Sequence, residues 1–209
     1  MTRESAIRWV AKPIVFTAAL VPLAWIAWTA VASGFGPTGP LGANPIEYIN
    51  RYLGDWAIRF LLMALAVTPV RRISGWTPLM RFRRMIGLFA FFYACLHLSS
   101  YIGLDQFFDW REIWRDIVKR NYITVGMVNF VLLESLAATS TNGMVQRLGG
   151  KRWTRLHKLI YPAGILACFH FYMMRKGVQL EPIIYAGIFA LLLGYRVVAF
   201  WQRKAARGS

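Results

Sequence analysis

The sequence predicts an all-α, polytopic membrane protein: a bundle of six transmembrane helices with both termini in the cytoplasm. Three observations carry this. The chain is 57% hydrophobic over 209 residues, above the roughly 45 to 50% apolar content of soluble domains. Its apolar residues fall into runs of about bilayer length, near 20 residues each. Its basic residues collect in the connections between those runs, and they do so unequally on the two sides.

The first span covers about 14–32, preceded by Arg3, Arg8 and Lys12 and followed by the breaker-rich SGFGPTGPLGANP. It is longer than the apolar core of a signal peptide, so it reads as a retained helix. The second covers about 48–70 and carries Asp55 and Arg59. The third, 85–104, has no charged residue before Asp105, and the fourth, 122–138, carries Glu134 near its end. The fifth and sixth cover about 153–174 and 182–200. Between spans three and four, DQFFDWREIWRDIVKR spaces its apolar residues by three and four, which predicts an amphipathic helix on the membrane surface.

Orientation follows from counting Lys and Arg at alternate ends. Three precede the first span, five lie in 71–84, five in 147–158 and four from Arg196 onward, giving 17 on the side that holds both termini. The other side has six: Arg111, Arg115, Lys119, Arg120, Arg175 and Lys176. The positive-inside rule then places both termini in the cytoplasm. A net charge of +16 distributed this way is a topology signal and calls for no nucleic acid. Trp9, Trp56, Trp76, Trp153 and Trp201 near span ends fit interfacial belts facing membrane lipid.

No P-loop, GxSxG or Cys-rich motif occurs, so nucleotide hydrolysis and nucleophilic catalysis have no support, and no catalytic residue is assigned. Cys95 and Cys168 lie within apolar runs without CxxC spacing and read as packing residues. Glu134 and Arg59 read as partners inside the bundle, with a proton or quinol role for Glu134 as the alternative.

The chain's three histidines, His97, His157 and His170, all lie in or at the ends of apolar segments. A neutral imidazole in lipid needs a partner for each ring nitrogen, and a metal between two helices supplies one. Spans three and five run in the same direction, so their depths compare directly. His97 lies 12 residues after Met85, about 18 Å along an ideal helix, and His170 lies 17 after Trp153, about 25 Å. Both therefore belong to the outer half, where they reach opposite faces of one haem. His157 is 13 residues before His170, about 20 Å away, which separates two stacked haems and not two ligands of one. Pro162 lies between them and predicts a kink or unwinding.

A symmetrical inner site would want a histidine 13 or 14 residues before His97, where Arg84 and Arg83 stand. Arginine does not ligate iron but pairs well with a haem propionate. His157 is thus either an inner haem ligand without a histidine partner or an interfacial histidine. A small transporter or structural membrane protein, its histidines merely hydrogen-bonding between helices, is the reading from another class.

RRMIGLFAFFYACLHLSSYIGLD (83–105) and RWTRLHKLIYPAGILACFHFYMMRKG (152–177) resemble the signature segments of the MsrQ (YedZ) family. These are haem-binding membrane subunits of bacterial methionine sulfoxide reductase systems, within the wider ferric reductase-like transmembrane family. The resemblance covers essentially the whole chain, 1–209, and implies a single domain of that type in the bacterial inner membrane. It implies electron transfer from the quinone pool, or from a cytoplasmic flavin reductase, through b haem to the periplasmic molybdopterin enzyme MsrP. It implies His97 and His170 as ligands of an outer haem b, His157 as ligand of a possible second, and Arg83 or Arg84 on propionates. FMN is also associated with the family. A stand-alone transmembrane ferric or quinone reductase is the neighbouring alternative.

Overall fold

The computed structural model describes residues 2–33, 35–36, 38–175 and 179–208, and these are helical with turns and no strand. Lys176, counted above on the outer side, and Gly34 and Pro37 of the first connection lie outside the described residues. The side chains of Arg3, Ser33, Arg203 and Arg207 do so as well.

A short α1 (Arg3–Ala6) passes through a π turn, Ile7–Ala11, into α2 (Lys12–Ser33). Pro22 sits inside α2 and crowds the carbonyl one turn earlier. The opening is filled from α4: the Tyr93 hydroxyl accepts from Leu23 N at 3.1 Å and donates to Ala19 O at 2.8 Å. A fully buried tyrosine thereby bridges the two ends of a helical hydrogen bond.

α3 (Pro45–Ser74) starts where Asn44 caps the Glu47 amide with proline at the first helical position, and it stops at Gly75, φ 69°. These signals make the helix longer than the 48–70 read from hydropathy. A 3₁₀ turn, Thr77–Leu79, leads into α4 (Met80–Ser100), which ends in a π turn, Tyr101–Asp105. Phe107 and Phe108, both at positive φ, reverse the chain into α5 (Trp110–Lys119), whose Asp109 cap accepts from the Arg111 and Glu112 amides. This is the amphipathic helix expected in the linker, with Ile113 and Asp116 turned inward. α6 (Asn121–Ala138) follows at once.

α7 (Asn142–Leu156) is capped by Thr141 and broken at Gly149, φ 70° and ψ 149°. A 3₁₀ turn, His157–Leu159, then joins it to α8 (Ile160–Met174), and α9 (Leu180–Gly208) completes the chain. The expected unwinding between His157 and His170 is thus real and begins at His157 itself. Pro162 occupies the first turn of α8, where a missing amide donor costs nothing.

Five of the described helical segments are long and apolar enough to cross a membrane: Glu4–Ala32, Pro45–Ser74, Thr77–Asp105, Asn121–Ala138 and Leu180–Ala206. The fifth span read from sequence, 153–174, has its apolar stretch in the 15-residue α8, preceded by the 3₁₀ turn. The chain is a multi-pass membrane protein.

α3 and α4 form an antiparallel hairpin, α8 packs between α6 and α9, and α9 returns to α3. Phe60, Leu61, Leu65, Phe89 and Tyr93 meet Ala163 and Ala167 of α8 in one core. Small residues on α8 leave room for neighbouring side chains, most closely at Gly164, where a Cβ would lie 2.1 Å from the Phe189 ring of α9. Large apolar side chains such as Trp28, Val31 and Leu191 point outward, as lipid contact requires.

Two sequence expectations change. Arg59 does not meet Glu134, which is exposed on α6. Because α3 packs on α9 at that depth, its guanidinium reaches Glu181 at 3.4 Å and the Tyr185 hydroxyl at 2.8 Å. Trp56 is not a belt residue: its ring packs against Tyr52, Phe60 and Tyr93 inside the hairpin.

Candidate functional site

His97 of α4 and His170 of α8 face each other with ring centres 6.2 Å apart and planes at 74°. Each ring is fixed in the same way. His97 Nδ1 lies 2.8 Å from the Asn50 carbonyl of α3, and His170 Nδ1 lies 2.8 Å from the Tyr122 carbonyl of α6. A carbonyl only accepts, so each Nδ1 carries the proton and each Nε2 keeps its lone pair. Among the described residues, no hydrogen bond reaches either Nε2.

The residue four positions after each carbonyl is a glycine, and both glycines lie under a ring. A Cβ on Gly54 would sit 3.1 Å from His97 Nδ1, and one on Gly126 would sit 2.8 Å from His170 Cε1. On a helix, residues i and i+4 share a face. The carbonyl and the glycine therefore form one seat, built twice on two different helices.

Both rings line a cavity of about 360 Å³ between α3, α4, α6 and α8. Its deep wall is apolar, with Leu61, Phe130 and Leu133, and buried Asn129 lines it as well. Its mouth is charged, with Arg51, Asp55, Arg120 and Arg175. Arg120 lies outside the membrane segments, and its hydrogen bond to the Tyr122 hydroxyl raises it above the ordinary arginine value. Arg120 Nε also pairs with Asp116 of α5 at 2.9 Å, and Asp116 accepts from the Tyr101 hydroxyl at 3.1 Å.

Two imidazoles on opposite sides of one metal, each about 2 Å from it, place their ring centres about 6.2 Å apart. The observed separation is that value. Among the described residues no group of three or more His, Cys, Asp or Glu side chains is arranged to hold a metal ion by itself. A metal here needs further ligands that it brings with it, as a porphyrin provides. The residues present thus fit a haem held by two histidines.

His157 lies at the opposite end of the bundle. Its ring stacks on Trp153 with centres 3.9 Å apart, and its Nε2 is 3.2 Å from the Thr139 hydroxyl. Trp153 Nε1 donates to the Thr139 carbonyl at 2.9 Å, which locks this group to the end of α6. Half-buried Arg83 lies within electrostatic reach of His157, whereas exposed Arg84 donates to Asn142 at 2.6 Å. The structure therefore brings Arg83, but not Arg84, to His157. Cys168 is buried in the core and Cys95 half-buried, both as free thiols.

Sequence reading found the two facing histidines but missed their seats. The available signal was the repeated spacing, Asn50 to Gly54 and Tyr122 to Gly126, with a lone glycine inside each apolar span.

A model of the ferric reductase like transmembrane component matches residues 53–168, a stretch that contains His97 and His157 and stops just short of His170. The chain is 57% identical over 190 residues to a protein of Rhodospirillum rubrum, covering 91% of this chain and 88% of that one. It is 51% identical over 196 residues to one from Herminiimonas arsenicoxydans, covering 93% and 87%. A third, from Caulobacter vibrioides, is 48% identical over 198 residues, covering 94% and 90%. All three are named protein-methionine-sulfoxide reductase heme-binding subunit MsrQ. With its paired histidine seats and identity over nearly its whole length, this chain belongs to the MsrQ family of ferric reductase-like transmembrane proteins.

Proposed function

We propose that this chain is the haem-binding electron-transfer subunit of a protein-methionine-sulfoxide reductase system. It carries electrons across the bacterial inner membrane, from quinol or a cytoplasmic flavin reductase, to the periplasmic molybdopterin enzyme MsrP. The single observation that carries this reading is the pair of His97 and His170 rings, each with its proton fixed on Nδ1 and its lone pair free on Nε2, at the spacing of a two-histidine metal site. The names of the relatives support the same cofactor and the same system.

A bound b haem supplies reversible one-electron chemistry. The chain's own residues do the rest. Asn50 and Tyr122 carbonyls hold the two imidazoles in one tautomer and orientation, and hydrogen bonding at Nδ1 raises the basicity of Nε2. Gly54 and Gly126 let the rings lie flush against the helices. The apolar deep wall excludes water from the macrocycle, while the charged mouth suits its carboxylates. In this reading six spans are formed, α8 with its preceding turn being the fifth, both termini are cytoplasmic, and the α5 end of the bundle is the outer face. A donor-side site around His157, with Arg83 on propionates, belongs to the inner face, and FMN is proposed from the family alone.

Purified protein should show a Soret band and a positive pyridine haemochrome test. His97→Ala and His170→Ala should each abolish most of the low-spin signal, and a wild-type spectrum in either variant would sink the pairing.

A further inference from the structure

We propose that Asp55 is a redox-linked proton site. Its carboxylate takes a proton from water on the outer face when the haem between His97 and His170 is reduced, and returns it on reoxidation. The inference rests on the haem reading above.

Asp55 directly follows Gly54, the glycine under the His97 ring, and it lines the histidine cavity. It also lines a second, polar recess of about 470 Å³ beside that cavity, together with Glu47, Arg51, Arg59 and Arg175. The carboxyl group therefore stands between the histidine cavity and an open, polar recess.

Six charged groups meet at this point: Glu47, Arg51 and Arg59 share α3 with Asp55, Arg175 follows α8, and Glu181 begins α9. With Asp55 included, three carboxylates meet three guanidiniums, so among the described residues the cluster is neutral as it stands. An electron added in the adjacent cavity would lower the charge there by one in a low-dielectric setting, which raises the proton affinity of the nearest carboxylate. Uptake of one proton restores the balance.

Geometry selects Asp55 among the three acids. Its side chain is 17% exposed, against 47% for Glu47 and 38% for Glu181. Glu47 has its own arginine, Arg51, and Glu181 is held by both Arg59 and Arg175. Among the described residues Asp55 pairs only with the Arg175 Nη2, at 3.3 and 3.4 Å, and that same nitrogen reaches Glu181 at 3.1 Å. On the opposite wall, among the described residues, stand exposed Asp105 and the Asp116-paired Arg120, and the phenols of Tyr48, Tyr52, Tyr101 and Tyr122 line the two spaces. Of the three acids in this cluster, Asp55 is thus the most buried and the least firmly paired. The step balances: iron(III) gains one electron from a quinol-class donor and becomes iron(II), while the carboxylate gains one proton from water. Reoxidation by the acceptor reverses both.

The test is an equilibrium redox titration of the haem-loaded protein at several pH values. Wild type should show a midpoint potential that falls as pH rises. Asp55→Asn should titrate higher at neutral pH and show little pH dependence, Asp55→Glu should retain the slope, and Glu47→Gln should raise the potential while keeping the wild-type slope. A flat wild-type profile overturns the proposal, and so does an Asp55→Asn slope equal to that of wild type. If Asp55→Asn loses haem, the wild-type reduced-minus-oxidised infrared spectrum decides: a carboxyl protonation band supports the proposal and its absence refutes it. Protein without any Soret band would instead refute the haem reading itself.

Discussion

The seats of His97 and His170 are built to one plan and secured in different ways. On the His97 side, the Asn50 carbonyl accepts from the ring while its side-chain amide donates back, to the His97 carbonyl at 3.1 Å and to Ser100 Oγ at 2.8 Å. Ser100 Oγ itself donates to the His97 carbonyl at 2.8 Å. α3 and α4 are thereby clasped in both directions across a short hairpin connection. On the His170 side there is no comparable latch among the described residues. Tyr122 stands in the first turn of α6, and its hydroxyl is tied through Arg120 to Asp116 of α5. The fit is closer instead: an added Cβ would lie 2.8 Å from the ring at Gly126, against 3.1 Å at Gly54. One ring is held by hydrogen bonds around it, and the other by how closely it lies on the α6 backbone at Gly126.

That contrast can be broken most forcefully at the glycines. Gly126→Ala puts a methyl group against His170 Cε1 with no flexible side chain to yield, so most of the low-spin haem signal should vanish in electron paramagnetic resonance. Gly54→Ala meets His97 at the longer distance and should leave a substantial low-spin fraction. Equal losses would mean that clearance does not distinguish the seats. Gly164→Ala acts through the helix that carries His170, because Phe189 must leave its slot. Overpacking of this kind costs about 1–3 kcal/mol, and the variant should lose thermal stability while the residual haem keeps its two-histidine spectrum.

A smaller effect is expected from removing the latch. Asn50→Ala keeps the carbonyl that orients His97 but loses the amide bonds, a change of about 1 kcal/mol. Haem release on heating should begin earlier, with the absorption maximum unmoved; a moved maximum would show that the side chain also sets the ring's orientation. Gly194→Ala is the reference, since nothing lies within 4 Å of its added methyl. Both haem content and melting temperature should stay at wild-type levels.

Much of the fold was legible because hydropathy is a one-dimensional property. The spans around 14–32, 85–104 and 122–138 and the amphipathic α5 all lie where runs, caps and spacing put them. The pair His97 and His170 was legible for a related reason: in parallel helices, residue number converts directly into depth. Partners across helices were not legible. Arg59 fits Glu134 as well as Glu181 until the packing of α3 on α9 decides. Trp56 looks like a belt residue until Tyr93 and Phe60 are placed around it.

The sequence alone determined that this chain enters a membrane as helices and that two imidazoles share a depth, since bilayer thickness and helical rise depend only on the order of residues. Only the tertiary structure decided how those imidazoles are used. Their protons are fixed by carbonyls from two other helices, and their space is left by Gly54 and Gly126, which stand far along the chain from the rings they accommodate. Every residue offers the same carbonyl, so nothing in its own letter marks it as a partner. It becomes one only when packing brings a particular ring to it.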